Sequence, residues 1–335
     1  MNNFKKVALT ALGASLAATS ANAVDVSVSG GSEIGYATGT SNATSSEATN
    51  FGAGTGVSFS ASGELDNGWT VSTTHATSNA FALTSSNIKV DTGSMGAFRF
   101  NRIGAAASNA WDDVLPTAWE EANDKAHHSV RGMRVADGIT SGSLAIILPA
   151  LEFGGASIQI QGDYDPAANA GGGDPGATVT RTANLGSGVG VAAKVSAGMI
   201  TAYGAYVEES STKSADAIDG QNVMVQLVAD LGSISIGAGE WYTNSANGAR
   251  DYSATGMSIA FNVNDDLSIS YGELEDTMEA HSATAAVTTD IKSLQVAYSM
   301  GSMSVKAKRV ETDNPYQNTT LNSDETTEVS VSFSF

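Results

Sequence analysis

The chain has 335 residues, a formal charge of -19 and no cysteine. Such acidity argues against nucleic acid and bare anionic headgroups as partners, because both are held by basic patches. Without disulfides, an exported chain must draw its stability from another source, and a closed sheet with every backbone hydrogen bond made between strands is one.

Residues 1–23 read as a secretory signal peptide. Lys5 and Lys6 precede the small apolar run Val7 to Ala21, and Ala21-Asn22-Ala23 is an A-x-A cleavage site. The run is shorter than the roughly 20 residues a spanning helix needs. The mature chain is expected to be residues 24–335, starting on the strand-like Val24-Asp25-Val26-Ser27-Val28. No later stretch approaches a spanning helix, and the longest apolar candidate, near Leu144 to Leu151, contains Pro149.

From there one texture repeats. Val57, Phe59 and Ala61 alternate with Ser58, Ser60 and Ser62, and Ile158, Ile160 and Tyr164 with Gln159, Gln161 and Asp163. Met257, Ile259 and Phe261 alternate with Ser258, Ala260 and Asn262, and Leu294, Val296, Tyr298 and Met300 with Ser293, Gln295, Ala297 and Ser299. The last strand sets Val329, Val331, Phe333 and Phe335 against Ser330, Ser332 and Ser334. A strand sends successive side chains to opposite faces. A soluble sandwich would bury large apolar groups on its inner face. Here the second face is Ser, Thr, Gln, Gly and charge, so the apolar face must meet lipid.

Tight connections are expected at Asp66-Asn67-Gly68, Ser94-Met95-Gly96, Gly186-Ser187-Gly188, Leu231-Gly232-Ser233, Asn264-Asp265-Asp266 and Gly301-Ser302-Met303. Long polar loops are expected over 38–54, 165–176, 209–219, 244–250, 275–283 and 311–324. Short turns at one rim and long loops at the other are the outer-membrane arrangement. The last three turns begin at 231, 264 and 301, a spacing that gives roughly 16 to 18 strands. The fold class is therefore an all-β, transmembrane, antiparallel up-and-down barrel. Trp69, Phe98, Phe153, Tyr164, Trp241, Tyr242, Phe261, Tyr298 and Phe335 fall near strand ends, as interfacial girdles would use them.

These features together resemble the general porin family of Gram-negative outer membranes. In that family the last strand ends in Phe after alternating apolar residues and serves as the assembly signal, and Val329, Val331, Phe333 and Phe335 fit the pattern. The resemblance implies homotrimers of 16-stranded barrels that pass small polar solutes and ions by diffusion. It also implies outer-membrane lipid, lipopolysaccharide and the barrel assembly machinery as partners. The rival readings are a substrate-selective channel and a non-conducting adhesin or structural barrel.

The family's third external loop folds into the lumen and narrows it. After five apparent strands, residues 103–128 are too irregular for a strand pair and carry Asp112, Asp113, Glu120, Glu121 and Asp124. By position, this segment is the candidate constriction loop. Basic residues are few. By strand parity Lys89, Arg99, Lys194, Lys306 and Lys308 should face the lumen, since a charge facing lipid at mid-membrane costs about 2–4 kcal/mol. Arg102, Arg131 and Arg134 are further candidates for the pore wall, although the parities of Arg131 and Arg134 differ. Acidic loop against basic wall would set a field across the passage.

No H-E-x-x-H, P-loop or complete G-x-S-x-G is present, so no enzyme is expected. Four histidines and no cysteine argue against zinc. The expectation is no cofactor, with incidental calcium at loop carboxylates the one metal left open.

Overall fold

The computed structural model describes residues 24–41, 46–104, 106–124, 139, 142–166, 185–211, 219–244, 251–280, 285–320 and 323–335. The expected signal peptide, the end of the 103–128 segment, Arg131 and Arg134 lie outside the described residues.

The strands are β1 (Val24–Ser41), β2 (Ser46–Glu64), β3 (Thr70–Thr77), β4 (Leu83–Asp91), β5 (Ala97–Ile103), β6 (Ser143–Ile147), β7 (Leu151–Phe153), β8 (Ala156–Asp165) and β9 (Leu185–Ala197). They continue as β10 (Ile200–Ser211), β11 (Gly220–Asp230), β12 (Ile234–Asn244), β13 (Asp251–Asn262), β14 (Leu267–Met278), β15 (Val287–Met300), β16 (Met303–Asp313) and β17 (Asp324–Ser334). Apart from β6 and β7, which have no ladder between them, each pairs antiparallel with its chain neighbours. β6 and β7 both pair β8 and form one stave interrupted at Pro149, which has no N–H to give the ladder. The result is a closed 16-stranded barrel. No helix among the described residues is long and apolar enough to cross a membrane.

The ring closes where β17 meets β1, with Gly31 opposite Ser334. Gly30 and the terminal Phe335 then exchange two backbone hydrogen bonds of 2.8 and 2.9 Å. A Cβ on Gly30 would lie 2.7 Å from the Gly56 carbonyl oxygen and 3.0 Å from the Phe335 ring, so this seam needs glycine. Gly30→Val is expected to cost about 1–3 kcal/mol. In heat-unfolding of the detergent-folded barrel, its midpoint should fall. Gly52→Val, at a position with nothing within 4 Å, should leave the midpoint in place.

Alternation fixes the two faces. Val329 and Phe333 stand exposed on the outer wall, whereas Thr326, Glu328 and Ser330 are buried inside. The same parity holds along β13, where Met257, Ile259 and Phe261 point out and Ala254 and Ser258 in. Leu274, Ile291 and Val310 on β14 to β16 are buried together on the inner face, an apolar patch within the otherwise polar lumen.

Three expectations change. Residues 38–54 do not form a long loop: β1 and β2 stay paired to Ser41↔Ser46, helped by a 3.0 Å hydroxyl contact between Thr38 and Thr49. Gly186-Ser187-Gly188 is not a turn but part of β9, and the hairpin ends fall instead at Gly154-Gly155 and Gly198-Met199. Gly188 is there for space, since a Cβ would sit 2.7 Å from Ile139. Trp241 is not a girdle residue. It points inward, 1% exposed, beneath the chain segment that enters the lumen.

Candidate functional site

The segment after β5 enters the barrel and lies along its inner wall. At its root the Asp163 carboxylate accepts from the Ala107 N–H at 2.8 Å and the Ser108 N–H at 2.5 Å. Gln161 donates to the Ala107 carbonyl at 2.6 Å. The lumen face of β8 thus supplies partners for three backbone groups of the turn Ala107–Asn109, two N–H groups and one carbonyl. Further along, the Gln226 amide donates to the carbonyls of Trp111 and Asp112 at 2.8 and 3.0 Å. Trp111 and Leu115 pack on an apolar bed of Val207, Met224, Trp241 and Ala254.

The far limb is held most tightly. Ala118 N–H donates to Ser270 Oγ at 2.8 Å. Gln295 Oε1 accepts from the N–H groups of Trp119 and Glu120, both at 3.0 Å, and its amide donates to the Glu120 carbonyl at 2.6 Å. The Lys308 ammonium, fully buried, then pairs with Glu120 at 2.6 Å, with Asp124, and with Glu328 at 3.4 Å, and lies 4.4 Å from the centre of the Trp119 ring. The oxygens of Glu120, Asp124 and Glu328 fall within 4.8 Å of one another, and Lys308 is the cation in their midst.

Glycines on the lumen face cut the track that the loop follows. A Cβ on Gly190 would lie 2.4 Å from Ser108 Oγ, and on Gly237 2.5 Å from Pro116. On Gly239 it would meet Trp241 at 2.4 Å, and on Gly256 Leu115 at 3.1 Å. The sequence reading missed these residues together with Asp163, Gln226, Ser270 and Gln295. Their signal was present as inward parity combined with glycine or a lone amide in mid-strand.

The loop carboxyls divide into two groups. Glu120 is pushed up to about 7, because burial and neighbouring Asp124 outweigh the pull of Lys308. Asp113 is pushed up to about 8 by burial and by hydrogen-bonding contact with Glu121, and burial also raises Asp112.

The predicted basic residues do not form one wall. Lys89 and Arg99 are register neighbours on β4 and β5 and face inward, Arg99 within electrostatic reach of Asp163 at the loop's root. Lys89 pairs with Asp91 at 3.1 Å. Lys194 faces inward 5.9 Å from the Tyr203 ring. Lys306 and Lys308 lie on the loop's own side, Lys306 5.5 Å from the Trp119 ring. Arg102 differs from the expectation: odd residues of β5 turn inward, so Arg102 stands exposed on the outer face with Phe98 and Phe100.

The hydrogen bonds holding the loop come from β8, β11, β14, β15 and β16. The opposite wall, β1 and β2, presents Gly35, Ala37, Asn50, Gly52 and Gly54 with Glu33. These line an open space of about 380 Å³ that Glu328 borders on the loop side.

Comparison with known proteins agrees with this geometry. A family model described as Gram-negative porin matches residues 8–335. A refined porin structure is 15% identical over 93% of this chain and 100% of its own, with a TM-score of 0.67. An anion-selective porin from Comamonas acidovorans is 11% identical over 93% and 100%, with a TM-score of 0.70. OmpT of Vibrio cholerae in its trimer form is 12% identical over the same shares, with a TM-score of 0.68. At these identities the structures speak for the fold alone. No protein of curated function matches the chain significantly. The family match, spanning nearly the whole sequence, shows that the chain belongs to the Gram-negative porin family.

Proposed function

We propose that solutes pass between the loop and the glycine-lined wall of β1 and β2, and that this passage favours small hydrated cations. The chain is an outer-membrane channel for passive diffusion, as its family is. The finer reading rests on one observation: a carboxylate-rich loop fixed to one side of the lumen, with Glu33 and Glu328 beside the open space and Lys89 and Arg99 facing the lumen from β4 and β5. Two sources of charge on either side of a narrow passage act strongly, because screening extends over about 8–10 Å at physiological salt. A trimer of such barrels, as seen for OmpT of Vibrio cholerae, is the assembly we propose for this chain as well.

The test is the reversal potential across a potassium chloride gradient. The wild type is expected to reverse on the cation-selective side. The quadruple variant Asp112→Asn, Asp113→Asn, Glu120→Gln, Glu121→Gln should lower the potassium-to-chloride permeability ratio at least about twofold. Lys89→Gln with Arg99→Gln should raise it. Unchanged selectivity in the quadruple variant would refute the charge assignment while leaving the barrel intact.

A further inference from the structure

Part of the polar connection expected over 311–324 turns back into the barrel. After β16 the turn Asn314–Gln317 packs against β15. Asn314, Tyr316 and Gln317 take φ angles of 50°, 59° and 52°. Asparagine tolerates that left-handed region, but tyrosine and glutamine are held there against their preference. Such strain persists where surrounding contacts over-determine it. Here those contacts come from the inner wall. Thr289 Oγ1 donates to the Asn314 carbonyl at 2.7 Å and accepts from the Gln317 N–H at 3.2 Å. Asn314 Nδ2 donates to the Thr288 carbonyl at 3.0 Å. The Gln317 amide reaches past β15 and donates to the Asp276 carboxylate on β14 at 2.8 Å. Asp276 and Thr289 are register partners, both fully buried on the lumen face.

The same wall holds the far limb of the loop after β5, through Ser270, Gln295 and Lys308. Between the two sets of anchors lies the buried apolar patch of Leu274, Ile291 and Val310. Apolar side chains in a water-filled lumen are buried only beneath a cover, and their burial favours keeping that cover down. We propose that the turn Asn314–Gln317 is a second narrowing of the passage, set on the external side of the first, with Gln317 and Thr289 as the positioning residues that hold it there. It makes the outer mouth a size filter, which stops bulky uncharged solutes before they reach the carboxylates of the inner loop. The inference concerns solute size. It rests on the chain being an open channel and is separate from the charge selectivity proposed above.

The test is polymer exclusion in planar bilayers, with poly(ethylene glycol) of graded mass added to one side at a time while single-channel conductance is read. In Thr289→Val with Gln317→Ala, the largest polymer that enters from the external side should rise in mass at least about 1.5-fold, because the turn is released from the wall. The limit from the periplasmic side should stay where it is, since the inner loop is met first from there. A reversible version uses Asp276→Cys with Gln317→Cys, which are the only two thiols in a chain that has no cysteine of its own. A short bis-methanethiosulfonate should join them and restore the wild-type limit, and reduction should widen it again. Three results would overturn the proposal: an unchanged external limit in the folded Thr289/Gln317 variant, an equal shift from both sides, or a folded cysteine pair that cannot be joined. Circular dichroism and heat-shifted gel mobility establish that each variant is folded. A shifted limit at constant reversal potential supports the size filter and leaves the charge assignment to its own test.

Discussion

Replacing Lys308 by methionine is expected to destabilise the loop and roughen the current through the channel. Lys308 is the shared cation of Glu120, Asp124 and Glu328, and its side chain is completely buried while Glu120 and Asp124 keep 40% and 31% exposure. Removing one member of a fully buried pair costs about 3–5 kcal/mol, because the other charge is left without compensation. Water at Glu120 and Asp124 discounts that, so a loss of about 2–3 kcal/mol is expected for the loop's far limb. Three carboxylates would then repel one another at the edge of the passage, and the limb would be left to the hydrogen bonds of Gln295 and Ser270 and the contact of Lys306 with the Trp119 ring. Single-channel records should show added substates and noise, and reversal potentials should move further to the cation side. Lys306→Met is the comparison, because Lys306 meets the loop through the Trp119 ring at 5.5 Å. A contact of that kind is worth about 0.5–1 kcal/mol at an exposed site. A quiet Lys308→Met trace with unchanged selectivity would mean that the ion cluster does not hold the limb.

The second large effect separates two kinds of glycine on one inner surface. Gly239→Leu should disrupt the channel, since its side chain would start 2.4 Å from Trp241 and 2.8 Å from Gln226, beneath the loop. Overpacking there costs about 1–3 kcal/mol and lifts the loop from its track. Gly52→Phe has the opposite character. Nothing lies within 4 Å of its Cβ direction, so folding should be untouched while the ring enters the passage. Single-channel conductance should fall by roughly half, with the thermal midpoint unchanged. If Gly52→Phe leaves conductance as it was, the passage does not run along β1 and β2.

Much of the barrel was legible because its signal is local. Alternation at 257–261, 294–300 and 329–335 assigns each side chain a face without knowledge of its neighbours, and glycine and asparagine mark the hairpins at 66–68 and 264–266. What failed was what depends on distant packing. Gly188 looks like a turn residue until Ile139 is placed against it. Trp241 looks like a membrane anchor until Leu115 and Met224 cover it. Arg102 is a different case: it follows Arg99 by an odd number of residues, and strand parity alone would have turned it outward. Lys308 was legible as lumen-facing. That it meets Glu120 rather than opposing it depends on the path of the loop around the wall, and no residue pattern within 103–128 states that path.

The decisive measurement is planar-bilayer conductance of the purified, refolded protein. The account predicts stepwise, ohmic openings, grouped in threes if the barrels form the proposed trimer. A correctly folded, membrane-inserted barrel that carries no current would contradict it and favour a structural or adhesive role for the same fold.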